Sequence, residues 1–493
     1  MRTPRLGTSL LALTAPLSIV ACADVEDPIP PPSIAWVDCA DNAALDCGTL
    51  SAPVDYDDPY GPTFAIPVVR SRAVDPDRKI GSIVVNPGGP GGSGVQLAKL
   101  ASLVFAPELR ERFDIVGFDP RGEVASTPAI DCADDLDAFV ALDTTPDDAA
   151  EEAALLEESQ SLADGCQSRS APILRFVGTD SIVRDMDRLR EALGDEKLTY
   201  LGFSYGTFLG AIYADTFPER VRALVLDGAL DPRSTTEEMI EGQALGFEEE
   251  LEEMLAWCAG SDECALNTVG EGASDPAAIY DALLAEVESS AISGAGGRSL
   301  GPGEFSYAVS AALYQPGRWP GLAEALALLA NEKDPSALLD LADGYTGRRP
   351  DGSFDNGMDV YYAVTSIDSV VSRDPADVKA LAESVKEKAP RIGAYLPYSI
   401  LPSALWPVRP WREAGPVTAE GAPPILVVGS TRDPATPWVW SKALSEQLPH
   451  GVLLTREGDG HTSFLRGNAC IDDAVVGYLV DGTAPENGTV CKD

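Results

Sequence analysis

Short apolar runs and longer segments of mixed polarity alternate along most of this 493-residue chain. Six runs are rich in β-branched residues and each has Gly, Asp or Pro near its end: 81–89, 113–122, 197–204, 221–229, 423–433 and 451–461. Segments with helical periodicity, such as 180–194, lie between them. This alternation is typical of a parallel sheet covered by helices on both faces. Residues 47–56 and 63–74 predict antiparallel strands at the leading edge of that sheet.

A long helical segment interrupts the predicted sheet between residues 230 and 420, far beyond the length of an ordinary loop. Within it, the helical spacing places five residues on one face: Phe247, Leu251, Met254, Leu255 and Cys258. The segment leaves and re-enters the sheet at the carboxyl ends of strands, where such folds bind ligands. We therefore predict a lid rather than an independent domain. A second helical excursion, residues 134–165, is very acidic.

The first residues predict export. Arg2 and Arg5 precede an apolar run that is too short to cross a membrane, and small residues follow. The sequence "IVAC", which ends at Cys22, resembles a lipoprotein box in which the cysteine is lipidated and becomes the mature N-terminus. Ordinary cleavage after Ala23 is the alternative. The stretch "DVEDPIPPPS" that follows is typical of a stiff tether.

These boundaries divide the chain into five predicted parts. They are a lipoprotein-type signal peptide (1–21), a tether and N-terminal segment (22–45), the first part of the core (46–229), the helical lid (230–420) and the C-terminal part of the core (421–493). A lipidated Cys22 would place the protein on a membrane surface outside the cytoplasm, and cleavage after Ala23 would release it as a secreted protein.

The formal net charge of −42 argues against nucleic acid as a partner, because an acidic surface repels phosphates. Apart from Cys22, the chain has eight cysteines, an even number that suits disulfides in an oxidising compartment. Their order favours four local bridges: 39–47, 132–166, 258–264 and 470–491. No Cys-x-x-Cys pair and no histidine cluster is present in the sequence, so we expect no metal site and no cofactor.

Ser204 stands between Gly202 and Gly206, where a predicted strand turns into a predicted helix. Such a turn lifts a serine hydroxyl above the sheet as a nucleophile. A serine needs a base, and the chain has two histidines. His450 precedes the last predicted strand and is expected at the far edge of the sheet. His461 follows that strand and is therefore predicted to lie on the same edge as Ser204 and to act as its base.

The histidine needs a carboxylate that orients its ring. Asp433 follows the preceding strand at its carboxyl end and is the favoured candidate. Asp227 also ends a strand and is the competitor, whereas Asp459 is too near His461 in sequence to reach its ring. The order Ser204, Asp433, His461 is that of an α/β-hydrolase triad.

Acyl transfer also needs N–H donors for the developing oxyanion. The segment "NPGGPGGSG" (86–94) follows a strand that is expected to lie beside Ser204. We expect the backbone N–H groups of Gly89 and Tyr205 to form the oxyanion hole, with Gly88 as second choice.

Together these segments resemble the secreted bacterial tripeptidyl aminopeptidases, which are α/β-hydrolases related to proline iminopeptidases. The resemblance covers roughly residues 46–491 and rests on "NPGGPGGSG", "GFDPRGEVASTP", "LGFSYGTFLG", "VLDGALDP", "GSTRDPATP" and "GDGHTSF". Pro87 replaces the histidine that begins the corresponding oxyanion segment of proline iminopeptidases. Glu123 stands where such chains commonly have a small residue. The resemblance implies an α/β-hydrolase fold and the cleavage of short peptides from a free N-terminus.

We therefore expect a serine aminopeptidase that works through an acyl-enzyme. An esterase or lipase would use the same triad and would be favoured by a lid that is apolar where it faces Ser204. A non-catalytic, surface-binding lipoprotein is the third alternative. An aminopeptidase must bind a terminal ammonium group, and we expect at least one lid or lid-proximal carboxylate to do so. The candidates are Glu237, Glu238, Glu241, Glu248, Glu249, Glu250, Glu252 and Glu253. The sequence leaves the oligomeric state open.

Overall fold

A ten-stranded sheet forms the centre of the computed structural model, which describes Met1 and residues 31–270 and 275–493. The strands are β1 (Val37–Asp38), β2 (Leu45–Pro53), β3 (Thr63–Ser71), β4 (Gly81–Asn86), β5 (Phe113–Phe118), β6 (Leu198–Phe203), β7 (Val221–Asp227), β10 (Ile425–Arg432), β11 (Gly451–Asp459) and β12 (Thr489–Lys492). A separate small hairpin contains β8 (Ile292–Ser293) and β9 (Ser299–Leu300). The predicted signal peptide and Cys22 lie outside the described residues.

The sheet has the strand order β1-β2-β3-β5-β4-β6-β7-β10-β11-β12. The strands from β5 to β12 in this order run parallel, and β1, β2 and β3 are antiparallel at one edge. The six predicted parallel strands and the two predicted antiparallel ones are thereby confirmed. Strands β1 and β12 were not predicted, because runs of two and four residues are too short to show a periodic pattern.

Helices surround this sheet and fill the long segment between β7 and β10. They are α1 (Gly94–Lys99), α2 (Ala101–Val104), α3 (Pro107–Arg112), α4 (Asp137–Val140), α5 (Ala149–Leu174), α6 (Thr179–Leu193), α7 (Tyr205–Thr216), α8 (Thr236–Gly260), α9 (Pro276–Ser289), α10 (Pro302–Leu313), α11 (Trp319–Glu332), α12 (Ser336–Thr346), α13 (Gly357–Asp368), α14 (Pro375–Lys386), α15 (Leu401–Ala404), α16 (Trp438–Gln447) and α17 (Ala469–Asp481). The acidic excursion predicted at 134–165 forms α4 and α5, and α5 continues nine residues further than expected, to Leu174.

Apolar side chains cover both faces of the central strands. On β7, Leu224 and Leu226 belong to one buried cluster, whereas Ala223 and Val225 belong to another. The first cluster includes apolar residues of α6, α7 and α16, and the second includes residues of α3 and α17. Because successive side chains of a strand point to opposite faces, this division requires helices on both sides of the sheet.

The lid segment has an apolar core of its own, formed mainly by α8 to α12. The five residues predicted on one face of α8 are all buried, and all five belong to this core. Helix α8 begins at a capping box in which Thr235 and Glu238 satisfy each other's backbone N–H groups. The predicted face of the longest lid helix is thereby confirmed.

Four disulfides link the cysteines as predicted: Cys39–Cys47, Cys132–Cys166, Cys258–Cys264 and Cys470–Cys491. Each closes a local loop, and one of them lies within the lid. In the part of the chain that the structure describes, no helix is both long and apolar enough to span a bilayer.

Candidate active site

Ser204 occupies the sharp turn between β6 and α7. Its backbone has φ 54° and ψ −125°, a conformation that residues other than glycine rarely adopt. A methyl group on Gly202 would lie 2.3 Å from the carbonyl oxygen of Gly206, so the turn closes only with glycine there. The N–H of Ser204 donates to the carbonyl of Asp227 at 3.0 Å, which fixes the turn to the end of β7. The local geometry is that of a nucleophile elbow.

His461 lies beside this turn and is bonded to Asp433. Its Nδ1 is 2.8 Å from Oδ1 and 3.0 Å from Oδ2 of the carboxylate. When a carboxylate oxygen accepts from Nδ1, the proton of a neutral imidazole is on Nδ1 and Nε2 carries none. A methyl group on Gly228, just after β7, would be 3.2 Å from His461 Cε1. The imidazole ring therefore lies against the strand end to which Ser204 is bonded.

Asp433 is itself held by several donors. Its Oδ1 accepts the N–H groups of Ala435 at 3.0 Å and Thr436 at 2.8 Å, and its Oδ2 accepts the N–H of Thr462 at 3.1 Å. The Thr436 hydroxyl donates to Oδ2 at 2.9 Å and lies 3.2 Å from His461 Nδ1. Sequence reasoning missed Thr436, although a hydroxyl three residues after a carboxylate in a Pro-rich turn is a recognisable signal for such a bond.

Two lid residues hold the histidine backbone. The N–H of His461 donates to the carbonyl of Tyr314 at 2.8 Å, and the side chain of Gln315 donates to the carbonyl of His461. The Tyr314 ring also meets the imidazole edge to face, with centroids 5.4 Å apart. No local pattern in the sequence indicates these contacts, because they join residues about 150 positions apart.

The alternatives weighed for the base and its carboxylate occupy other places. His450 is exposed at the turn before β11. The Asp227 carboxylate is buried and accepts the N–H groups of Ser463 and Phe464, and burial raises its pKa to about 6. Asp459 pairs with Arg432. Asp227 thus anchors the loop that carries His461, whereas Asp433 contacts the ring.

The loop 87–92 lies directly against the elbow. A methyl group on Gly88 would be 2.5 Å from the carbonyl oxygen of Phe203 and 2.8 Å from Ser204 Cβ. Gly88 donates its own N–H to the Asn86 side chain at 2.9 Å, and Gly92 donates to the carbonyl of Gly88 at 3.1 Å. The first bond occupies the Gly88 N–H, which favours the N–H of Gly89 as the oxyanion donor. Tyr205, the first residue of α7, has its N–H at the open end of that helix.

Two cavities meet at Ser204. Their volumes are about 450 and 470 Å³. Gly89 and Pro90 line both of them, as do Gln243 and Tyr361 from the lid. Both volumes lie in the range that small-molecule and peptide sites occupy.

The first cavity is aromatic and almost uncharged. Its lining includes Phe247, Tyr307, Tyr314, Tyr345, Tyr361 and Tyr362 from the lid, and Asp355 is the one charged residue. Burial raises the pKa values of Tyr314 and Tyr362 well above the ordinary value, so their hydroxyls stay protonated. This cavity can accept apolar groups and offers neutral hydroxyl groups to polar ones.

The second cavity contains four acidic residues, two of which are already engaged. Asp231 accepts bonds from Arg233 and Gln447. Asp368 accepts bonds from Thr179 and Trp411, and its Oδ2 lies 3.3 Å from the donating hydroxyl of Tyr205. Since Asp368 is the last residue of α13, this contact ties the residue after Ser204 to the lid.

Glu237 is the one predicted lid glutamate that lines a cavity with Ser204. It lies in the first turn of α8 and is partly exposed, and its Oε1 accepts the N–H of Ser372 at 3.3 Å. The other seven have different surroundings. Glu238 caps α8, Glu241 pairs with Lys388, Glu248 accepts the N–H groups of Arg391 and Gly393, Glu250 is buried, and Glu249, Glu252 and Glu253 are exposed.

Comparison with known proteins agrees with this fold. A family model described as "alpha/beta hydrolase fold" matches residues 81–269, and one described as "TAP-like protein" matches residues 389–491. Serine protease Hip1 of Mycobacterium tuberculosis is 38% identical over 468 residues, which cover 90% of this chain and 87% of that protein. The chain belongs to the TAP-like α/β-hydrolases. It is a serine peptidase of that fold.

Two further relatives of this TAP-like hydrolase differ in their names. Tripeptidyl aminopeptidase of Streptomyces lividans is 32% identical and covers 93% of this chain and 86% of its own. Carboxylesterase B of M. tuberculosis is 36% identical, with 94% and 91% covered. Among solved structures, the proline iminopeptidase of Mycobacterium smegmatis matches at 15% identity with a TM-score of 0.39, covering 88% of this chain and 98% of that one.

One lid carboxylate of the TAP-like hydrolase is buried without a partner. Glu250 is 1% exposed, and neither of its oxygens has a hydrogen-bond partner among the described residues. Burial raises its pKa to about 9, and the nearby carboxylates of Asp459 and Asp433 raise it further than Arg432 lowers it. Glu250 is therefore neutral in the folded protein at pH 7.

Glu250→Gln will stabilise the protein at alkaline pH and not at acidic pH. Between the ordinary pKa of 4.5 and the folded value of about 9, the unfolded chain releases a proton that the folded chain keeps, so rising pH disfavours folding. Glutamine stays neutral and removes that dependence. Thermal unfolding at pH 5 and pH 8 should show a gain of at least about 3 °C that appears only at pH 8. The same substitution at exposed Glu253 should change neither value, and an equal gain for Glu250→Gln at both pH values would contradict the assignment.

Proposed function

We propose that this TAP-like hydrolase is an exported aminopeptidase that removes short peptides, such as tripeptides, from a free N-terminus. Ser204 attacks the scissile carbonyl while His461 takes the proton of the hydroxyl and later gives it to the leaving amine. Asp433 holds the imidazole in the tautomer that leaves Nε2 free. The amides of Gly89 and Tyr205 stabilise the tetrahedral oxyanion, and water then releases the acyl-enzyme.

The observation that carries the proposal is the position of Ser204 at the junction of two lid-covered cavities, with Glu237 on the wall of one. A cleft of this limited volume suits a short peptide better than a folded protein chain. The relative named tripeptidyl aminopeptidase supports the same conclusion.

Glu237 is the carboxylate that we assign to the substrate amine. Taking an ammonium group out of water is costly unless an anion accepts it. Of the four acidic residues along the second cavity, Asp231 and Asp368 are committed to neighbouring donors, and Glu413 is exposed to solvent. The fourth, Glu237, is half-buried and has one hydrogen bond, of 3.3 Å, to another described residue. Glu237 also lies in the first turn of α8, where the helix dipole stabilises a negative charge.

Acetylating the N-terminus of a tripeptide amide will lower kcat/KM by about 30- to 1000-fold. The blocked substrate has no charge and leaves Glu237 unpaired. Kinetics on matched free and acetylated chromogenic tripeptide amides measure the ratio. In Glu237→Gln, turnover of the free peptide should fall and the ratio should approach one.

Glu241→Gln is the matched control, because Glu241 lies one turn further along α8 and pairs with Lys388 instead of lining either cavity. It should keep the wild-type ratio. Equal cleavage of free and acetylated peptides by the wild type would exclude an aminopeptidase and leave an endopeptidase or esterase. A large ratio that Glu237→Gln does not change would assign the amine to another carboxylate.

An esterase is the second candidate, favoured by the aromatic lining of the first cavity and by the relative named Carboxylesterase B. The two candidates share the triad and differ in the leaving group. An assay series of p-nitrophenyl esters and peptide amides would distinguish them, since an esterase would cleave the esters and spare every peptide amide, whereas a peptidase would cleave the amides.

The four disulfides support export, because such bonds persist in oxidising compartments. Lipidation at Cys22 would then hold the enzyme on a membrane surface. Mass spectrometry of the mature N-terminus distinguishes an acylated Cys22 from cleavage after Ala23.

A further inference from the structure

Glu123 is a buried acid that contacts the proposed oxyanion loop. It follows β5 and is 1% exposed. Its Oε2 accepts the N–H of Gly91 at 3.2 Å, whereas its Oε1 is buried and has no hydrogen-bond partner among the described residues. A buried acid with one oxygen unpaired is costly to keep, so its position beside this loop calls for a role.

The N–H groups of the loop are almost fully committed. Gly88 donates to Asn86, Gly92 donates to the carbonyl of Gly88, and Gly91 donates to Glu123. Pro90 has no N–H. Among these residues, Gly89 alone keeps an amide without a hydrogen bond to another described residue. The Glu123 bond thus fixes the peptide plane two residues after the proposed oxyanion donor.

The groups around Glu123 are acidic or neutral. Asp119 from its own loop and Asp368 from α13 lie near it. Tyr200 of β6 and Tyr205 of α7 are also close, so that a charge on Glu123 raises the pKa values of their hydroxyls. Arg121, the cation nearest in sequence, donates instead to Asp185 and to backbone carbonyls. Burial, reinforced by Asp119, raises the pKa of Glu123 well above its ordinary value. These surroundings favour the neutral, protonated form of the side chain.

We propose that Glu123 is a positioning residue, whose carboxyl group holds the Gly91 amide and thereby keeps the Gly89 N–H directed at the oxyanion. This inference rests on the proposed function, in which Ser204 is the nucleophile. A neutral acceptor suits the place, because a carboxylate beneath the oxyanion hole would repel the negative charge that develops there.

Two variants of Glu123 test this role. Glu123→Ala removes the acceptor and should lower kcat by about 10- to 100-fold while KM changes less than about threefold, because the oxyanion exists only in the transition state. Glu123→Gln keeps a neutral carbonyl acceptor of the same shape and should retain kcat within about threefold of the wild type. If Glu123 acted as a charged carboxylate, Glu123→Gln would instead lower kcat.

Asp359→Asn is the matched control. Asp359 is also a buried acid, its Oδ2 accepts one backbone N–H, from Cys132 at 2.9 Å, and its Oδ1 is buried without a partner in the described chain. It lies outside the oxyanion loop and should keep wild-type kcat. Thermal unfolding of each variant checks the fold. Should Glu123→Ala fail to fold, the kcat of Glu123→Gln still decides between a neutral and a charged role.

Both p-nitrophenyl acetate and a tripeptide amide should serve as substrates, because every acyl transfer at Ser204 uses the same oxyanion hole. The inference is overturned if folded Glu123→Ala keeps wild-type kcat, if the loss appears in KM alone, or if Glu123→Gln loses as much as Glu123→Ala. Failure of the proposed function has a different signature. In that case Ser204→Ala would retain turnover, or the wild type would cleave the ester and no peptide while the Glu123 variants still changed kcat.

Discussion

Replacing Ser204 or His461 by alanine will lower kcat by about 10⁴- to 10⁶-fold without unfolding the protein. The two side chains act as one unit, since the serine hydroxyl is a weak nucleophile until a base takes its proton. Ser204 at the elbow after β6, and the bonded pair of His461 and Asp433 after β11 and β10, lie at the carboxyl ends of strands of the same parallel sheet. Turnover of a tripeptide amide by each purified variant, together with thermal unfolding, measures the effect.

His450→Ala is the control for this prediction. His450 is exposed before β11, and its backbone carbonyl accepts the N–H of Ile425. Its replacement should leave kcat within about twofold. Equal losses in the two histidine variants would show that the base is wrongly assigned.

Asp433→Asn will lower kcat by about 10⁴-fold. An amide at this position presents an N–H₂ group to Nδ1 of His461, which stabilises the tautomer with its proton on Nε2. That tautomer cannot accept the proton of Ser204. The fold should persist, because asparagine keeps one acceptor for the backbone N–H groups that Asp433 now binds.

Asp227→Asn tests whether Asp227 orients the His461 ring or only supports the loop that carries His461. Asp227 accepts N–H groups of Ser463 and Phe464, and its replacement loosens the segment after His461 without reaching the ring. We expect a loss of no more than about tenfold in kcat. A larger loss for Asp227→Asn than for Asp433→Asn would mean that the orienting carboxylate is Asp227.

The central sheet could be predicted because its strands are apolar on both faces and each ends in a residue that breaks the strand. The same pattern predicted that Ser204, Asp433 and His461 lie on one side of the sheet, where the carboxyl ends of the parallel strands meet. Local disulfides could be predicted from the order of the cysteines. In each case the signal lies within one short segment or follows from the alternation of strands and helices.

Contacts between distant segments could not be predicted in this way. Tyr314 meets His461, and Asp368 meets Tyr205, only because the lid folds back over the sheet. The burial of Glu123 and Glu250 is likewise invisible in the sequence, where both read as ordinary surface acids. The packing of α8 decides which lid glutamate lines a cavity. Helical periodicity alone could not choose among the eight candidate glutamates.

The bonds between the lid and the proposed triad also bear on how this enzyme can change during evolution. Tyr314 and Gln315 hold the backbone of His461, and Asp368 holds the residue that follows Ser204. The segment that shapes the cavities is thus part of the framework that aligns the reacting groups. Exchanging the whole lid for that of another hydrolase would misalign the base along with altering substrate choice. Single replacements on the cavity walls would leave these bonds in place, whereas exchange of the whole segment would break them.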